Sequence, residues 1–176
     1  SNVTIKGTWT QNVYTATYWL DAAMTEQYDY QEYNYGDIIE LLDAPDATYV
    51  PAGKEFVEWD CGYASMPAEN IDIFATYNDI YYTVTIRFPD NSTIKLYGDA
   101  AYTYGEQVTE DDLADYEEFE GYTFKDWKVA NKAIELPYTV TGNTVIAYDG
   151  TLNTWDLYFW ASEEDYNAFE AGELTS

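Results

Sequence analysis

The sequence has no histidine and only one cysteine, Cys61. Without imidazole, no Ser-His or Cys-His nucleophile pair can form within it, and metal sites built on imidazole are excluded as well. A single cysteine rules out an intrachain disulfide. Cys61 follows Asp60 and has no basic cluster near it in sequence, so it has no assigned role. Basic residues are scarce too. Seven Lys and Arg against 33 Asp and Glu leave a formal net charge of −26. Such a chain is repelled by nucleic acid and by anionic membrane surfaces, and neither is expected as a partner. No run is long or apolar enough to span a bilayer, so no membrane insertion is expected within this fragment. No basic segment followed by an apolar core opens the chain.

Aromatic residues, by contrast, are plentiful. They make up 19% of the chain, mostly as 20 tyrosines, joined by 6 Trp and 7 Phe. Such side chains pack well on a pleated, half-buried surface, which points to a β-rich protein. The carboxylates leave calcium as a conceivable ligand through acidic loops such as Glu110-Asp111-Asp112 and 115–118. No stretch has the spacing and central glycine of an EF-hand loop, and these runs read first as solvated surface.

The sequence repeats itself. Tyr14-Thr15-Ala16-Thr17-Tyr18 returns as Tyr82-Thr83-Val84-Thr85-Ile86, and Phe56-Val57-Glu58-Trp59 as Phe124-Lys125-Asp126-Trp127, each 68 residues on. Tyr35-Gly36-Asp37 falls near Tyr104-Gly105-Glu106, with one residue of drift. Asn2 to Trp9 matches Asn70 to Tyr77, and Trp155 to Phe159 resembles the opening strand at Tyr82 to Ile86. The expected organisation is a closing strand of a preceding repeat over 1–12, repeat units over 13–80 and 81–152, and a further opening strand with a C-terminal helix over 153–176.

Strands dominate each unit. Val3, Ile5, Gly7 and Trp9 alternate with polar residues, as do Tyr82, Val84, Ile86 and Phe88, the period of a half-buried strand. Pro89-Asp90-Asn91 supplies a turn, and 93–97 reads as the returning strand. Thr109 to Asp112 has capping-box spacing and predicts a helix that Leu113, Tyr116 and Glu117 continue for two or three turns before Gly121. Apolar residues at Ile38, Leu41 and Leu42 predict a second helix over 37–43, stopped near Pro45. Residues 162–172 predict a third, ended by Gly172.

In this order and spacing, Tyr-Thr-Val-Thr, Tyr-Gly-Asp, Phe-x-x-Trp and Met66-Pro67-Ala68 resemble the Listeria–Bacteroides repeat, the internalin B-type B-repeat of bacterial surface proteins. The second unit carries Leu136-Pro137-Tyr138 in place of Met-Pro-Ala. The likeness spans roughly residues 13–150 plus the opening strand. It implies a mainly β chain with short helices (α+β), folded as two tandem small β-grasp-like domains. It also implies an extracellular setting, on a bacterial cell surface or secreted, with signal peptide and anchor outside this fragment. The expected role is a stalk or spacer in adhesion, without enzymatic activity and packed against neighbouring repeats of the same chain.

Trp59 and Trp127, each three residues after Phe56 and Phe124, read as core anchors, because a small unit gains stability most efficiently by burying large aromatics. Tyr28, Tyr30 and Tyr33 are the candidate binding residues. Alternating on a strand face, they could stack on a host glycan or meet a surface protein. The plainer reading is cross-strand tyrosine pairs that stiffen a sheet. Carboxylate pairs are too frequent to mark a glycosidase, which needs two of them flanking a cleft. No catalytic or cofactor-binding residue is expected.

Overall fold

The computed structural model describes residues 3–154 together with Glu163, Asn167 and Glu170. The strand expected at 155–159 and nearly all of the helix expected at 162–172 lie outside the described residues. The fold is mainly β with short helical segments, as the composition implies.

The first sheet holds β1 (Val13–Trp19), β2 (Gln27–Asn34), β3 (Lys54–Asp60) and β4 (Ile71–Asp79) in the order β2–β1–β4–β3. β1 lies antiparallel to β2 and parallel to β4, and β3 is antiparallel to β4. Alternation along β1 sends Ala16 and Tyr18 to one face, where they meet Ile71, Ile73 and Ala75 of β4, with Trp59, Met66, Leu20 and Ile39. Tyr18 meets Trp59 edge-on with ring centroids 5.0 Å apart, and Phe56 meets it at 5.4 Å.

Further along come β5 (Tyr81–Tyr82), β6 (Val84–Arg87), β7 (Thr93–Lys95), β8 (Tyr102–Thr103), β9 (Gln107–Val108), α1 (Glu110–Leu113), β10 (Tyr122–Val129), β11 (Lys132–Ala133), β12 (Tyr138–Thr139) and β13 (Thr144–Leu152). The second sheet runs β11–β10–β13–β6–β7, while β12 pairs with β9 and β5 with β8. Its strands β7, β6, β13 and β10 follow the same order as β2, β1, β4 and β3. β4 and β13 also share one sequence of buried and exposed positions over nine residues.

Two compact units take shape. The first holds the chain to Val84 with Lys95–Gln107 and Thr139–Thr144; the second holds Thr85–Ile94, Val108–Tyr138 and the described residues from Val145. In the second unit Ile86, Leu113, Trp127, Ile146 and Tyr148 are buried. There Phe124 lies 5.1 Å from Trp127 and 5.2 Å from Tyr148, and Phe88 stacks on Phe119 at 5.2 Å.

The capping box is formed. Thr109 Oγ1 accepts from the Asp112 amide, and the Asp112 carboxylate accepts from the Thr109 amide, opening α1 and the 3-10 turn Ala114–Tyr116 behind it. Two expectations are corrected. Residues 37–43 form no helix, because their backbone groups are spent on an extended neighbour: the Ile39 amide donates to the Ala64 carbonyl, and Ile38 bridges Ser65. Ile39 is therefore buried, while Ile38 and Leu41 face solvent. Residues 3–12 form no strand either. Val3, Ile5 and Trp9 are 82%, 90% and 96% exposed, so this alternating segment has no sheet of its own to complete.

The first core contains one polar knot. The Tyr33 hydroxyl donates to Gln31 Oε1 at 2.5 Å, and the Tyr18 hydroxyl lies 3.3 Å from the same oxygen and 3.5 Å from the Glu40 carbonyl. Burial, aided by the neighbouring Tyr33, pushes the Tyr18 phenol up from 10.0 to about 12. The native state thus keeps a proton that the unfolded chain gives up near pH 10. Stability is full below pH 10 and falls as the pH rises toward 12. Urea unfolding across that range is expected to show the fall, and Tyr18→Phe to reduce it; equal slopes would contradict the assignment.

Candidate functional site

The two expected anchors occupy the core, 5% and 3% exposed at Trp59 and Trp127. Their indole N–H groups differ. Trp59 Nε1 donates to the Asp43 carbonyl at 3.1 Å, while Trp127 Nε1 is buried with no partner. Phe56 and Phe124 are half-buried beside them.

The three candidate tyrosines do not share a face. β1 and β2 pair Tyr18 with Asp29 but Trp19 with Gln27, so Tyr28 is an extra, bulged residue. The bulge turns Tyr28 inward, where its ring lies 5.4 Å from both Trp59 and Tyr49. Tyr33 also packs against the core and ends in the polar knot. Tyr30 faces solvent at 57% exposure.

Tyr30 belongs instead to the outer face of the first sheet, opposite the core. The pairings set two rows across it. Tyr30, Thr17 and Asp72 lie side by side, and Trp19, Phe74 and Asp60 form the next row. None of Tyr30, Trp19 or Phe74 packs against the buried cluster on the other side. Trp19 Nε1 donates to Asp72 Oδ1 at 2.7 Å, which fixes the indole on the sheet. Glu32, exposed and paired with Thr15, extends the acidic border.

This face was missed because Trp19 and Phe74 lie far apart in sequence, and only the parallel β1–β4 pairing joins them. Alternation offered a partial signal, since Trp19 is out of phase with Ala16 and Tyr18. In the second sheet the corresponding positions hold Arg87, Val145 and Ala147, with no aromatic ring among them. Of the inner aromatic positions, Phe56 and Trp59 recur as Phe124 and Trp127, while Tyr18 gives way to Ile86. The outer ones occur in one.

Elsewhere, pockets are open and shallow. An apolar groove of about 680 Å³ runs along Pro45, Val50, Pro51, Phe56 and Ile80. Glu110, Asp111, Glu117 and Asp126 border another of about 410 Å³ in the second unit. Among the described residues no three His, Cys, Asp or Glu side chains gather in a group able to hold a metal ion. No helix among them is long and apolar enough to cross a membrane. Cys61 Sγ lies 3.3 Å from the Tyr63 carbonyl. Compared with known proteins, the chain matches no family model and no curated protein.

Proposed function

We propose that this chain is a non-enzymatic, tandem-repeat segment of a bacterial cell-surface or secreted protein, of the Listeria–Bacteroides repeat type, acting as a stalk or spacer in adhesion. One observation carries the reading: a turn built twice with the same hydrogen bonds. At the first, Gly36 (φ +84°) donates to the Met66 carbonyl at 2.9 Å, and Met66 donates back to Asp37 at 2.8 Å. At the second, Gly105 (φ +88°) donates to Val140 at 2.8 Å, and Val140 donates back to Glu106 at 2.8 Å. Both turns need a left-handed residue at the glycine, which an L side chain rarely adopts. Each is also closed by its acid: Asp37 accepts from the Asn34 amide, and Glu106 from the Thr103 amide.

Asparagines add to the match. Asn70 Oδ1 accepts from the Thr15 amide at 2.9 Å, and Asn143 Oδ1 from the Thr83 amide at 2.8 Å. The shared strand order supports units over 13–80 and 81–152. A mixed sheet with parallel central strands, as in the first, agrees with a β-grasp-like unit.

Spacing is a matter of length rather than of sequence. Replacing the segment in its parent protein by an unrelated folded spacer of equal length is expected to preserve adhesion, while deleting it weakens adhesion. Loss of adhesion on replacement would favour the alternative, a module that itself binds a host glycan or surface protein. Of the tyrosines proposed for that role, Tyr30 alone is turned to solvent.

A further inference from the structure

A spacer needs a sound core and a soluble surface. It does not need half-buried Trp and Phe rings on the face away from the core. We propose that the outer face of the first sheet docks a basic segment of a protein partner, whose arginines stack on Trp19, Phe74 and Tyr30 and pair with Asp72, Asp60 and Glu32.

Three observations point to this ligand class. First, the rings and carboxylates lie in neighbouring rows of one sheet face, with Tyr30 and Asp72 in one row and Trp19, Phe74 and Asp60 in the next. Adjacent strands lie about 4.8 Å apart, so a planar guanidinium over a ring has a carboxylate within reach. Second, the charge is complementary. The four strands carry one basic residue, Lys54, and it is already tied to Asp79 at 2.6 Å. A partner's cation therefore meets no competing ammonium on these strands. Third, the Trp19 indole is held in place by Asp72, so little ordering is left to the binding step. A carboxylate accepts more than one donor, which leaves Asp72 able to pair while holding Trp19.

The second sheet serves as an internal control, because its Arg87, Val145 and Ala147 offer neither rings nor carboxylates at those positions. The proposal adds to the spacing role and does not rest on it: a failed peptide experiment leaves spacing untouched.

The test uses a short peptide alternating arginine with glycine, its lysine counterpart of equal length, and a neutral oligosaccharide such as maltohexaose. Binding to the whole chain is measured by calorimetry at physiological salt, and the Trp19 indole N–H is followed by NMR. The arginine peptide is expected to bind about fivefold tighter than the lysine peptide, because guanidinium stacking adds to charge attraction. It is also expected to shift the Trp19 resonance. Trp19→Leu with Phe74→Leu, which leaves net charge unchanged, is expected to remove the arginine preference. Equal affinity for the two peptides in the parent chain would overturn the proposal, since diffuse charge alone would then explain binding. So would an oligosaccharide that shifts Trp19 when the arginine peptide does not. If the double variant loses its folded near-UV signal, the parent protein decides: a Trp19 shift with the arginine peptide supports the proposal, and an unmoved resonance overturns it.

Discussion

Replacing Trp59 by alanine is expected to lower stability by about 3–5 kcal/mol, the range for truncating a large buried aromatic. The ring meets Tyr18, Tyr28 and Phe56 at 5.0, 5.4 and 5.4 Å, so its loss removes three aromatic contacts and opens a void in the first core. Each contact adds about 0.5–1.5 kcal/mol beyond simple area burial. The N–H bond to the Asp43 carbonyl goes as well, leaving that oxygen without its indole donor. Urea midpoints measure the effect, and a cost below about 1 kcal/mol would place Trp59 outside the core. Phenylalanine at each anchor refines the comparison. Trp59→Phe breaks a bond, whereas Trp127→Phe removes a buried N–H that has none. The first substitution should therefore cost about 1 kcal/mol more than the second.

Gly53→Ala is the second large effect, expected at about 2–4 kcal/mol from overpacking and left-handed strain together. Gly53 has φ +75°, and a Cβ there would sit 2.1 Å from Tyr104 Cβ and 2.9 Å from its Cγ. The obstacle begins at the tyrosine's Cβ, so rotating the ring does not relieve it. The Gly53 carbonyl also accepts from the Ile80 amide at 2.8 Å, which ties this turn to the end of the first sheet. Tyr104→Gly in the alanine background should return part of the loss. A four-protein cycle of urea midpoints reads the coupling, and strictly additive costs would mean that the two residues do not touch.

The parts of this fold that were legible in the sequence rest on local rules. Period-two alternation located β6 and the 68-residue repeat carried it to β1, while the same alternation over Val3 to Trp9 marks a strand that does not form. The Thr109–Asp112 spacing gave the helix cap, and a Phe-x-x-Trp step repeated in two places marked Trp59 and Trp127 as core. What escaped depends on partners distant in sequence. The stripe at Ile38, Leu41 and Leu42 suits a helix in isolation, but residues 64–66 offer its backbone an extended partner, and Ile39 takes the buried place. Matching Met66 with Leu136 by its following proline also misleads. The turn's hydrogen bonds put Val140 in the place of Met66.

The candidate site shows the same division. Strict alternation would set Tyr28 and Tyr30 on one face, and a single bulged residue separates them. Trp19 and Phe74 are unremarked in sequence, because a parallel pairing across more than fifty residues has no local signature. Once the register is known, their outward direction follows from Ala16, Tyr18, Ile73 and Ala75 pointing inward.

β2 and β3 form the two edges of the first sheet, and an edge strand presents unpaired amides and carbonyls to any similar strand it meets. Both edges carry exposed carboxylates: Asp29 and Glu32 on β2, Glu55, Glu58 and Asp60 on β3. Were two copies to join edge to edge, these groups would be forced together at the spacing of neighbouring strands, where like charges destabilise the pair. The acidity of the chain thus guards its open edges, so that two copies meeting in solution do not merge their sheets.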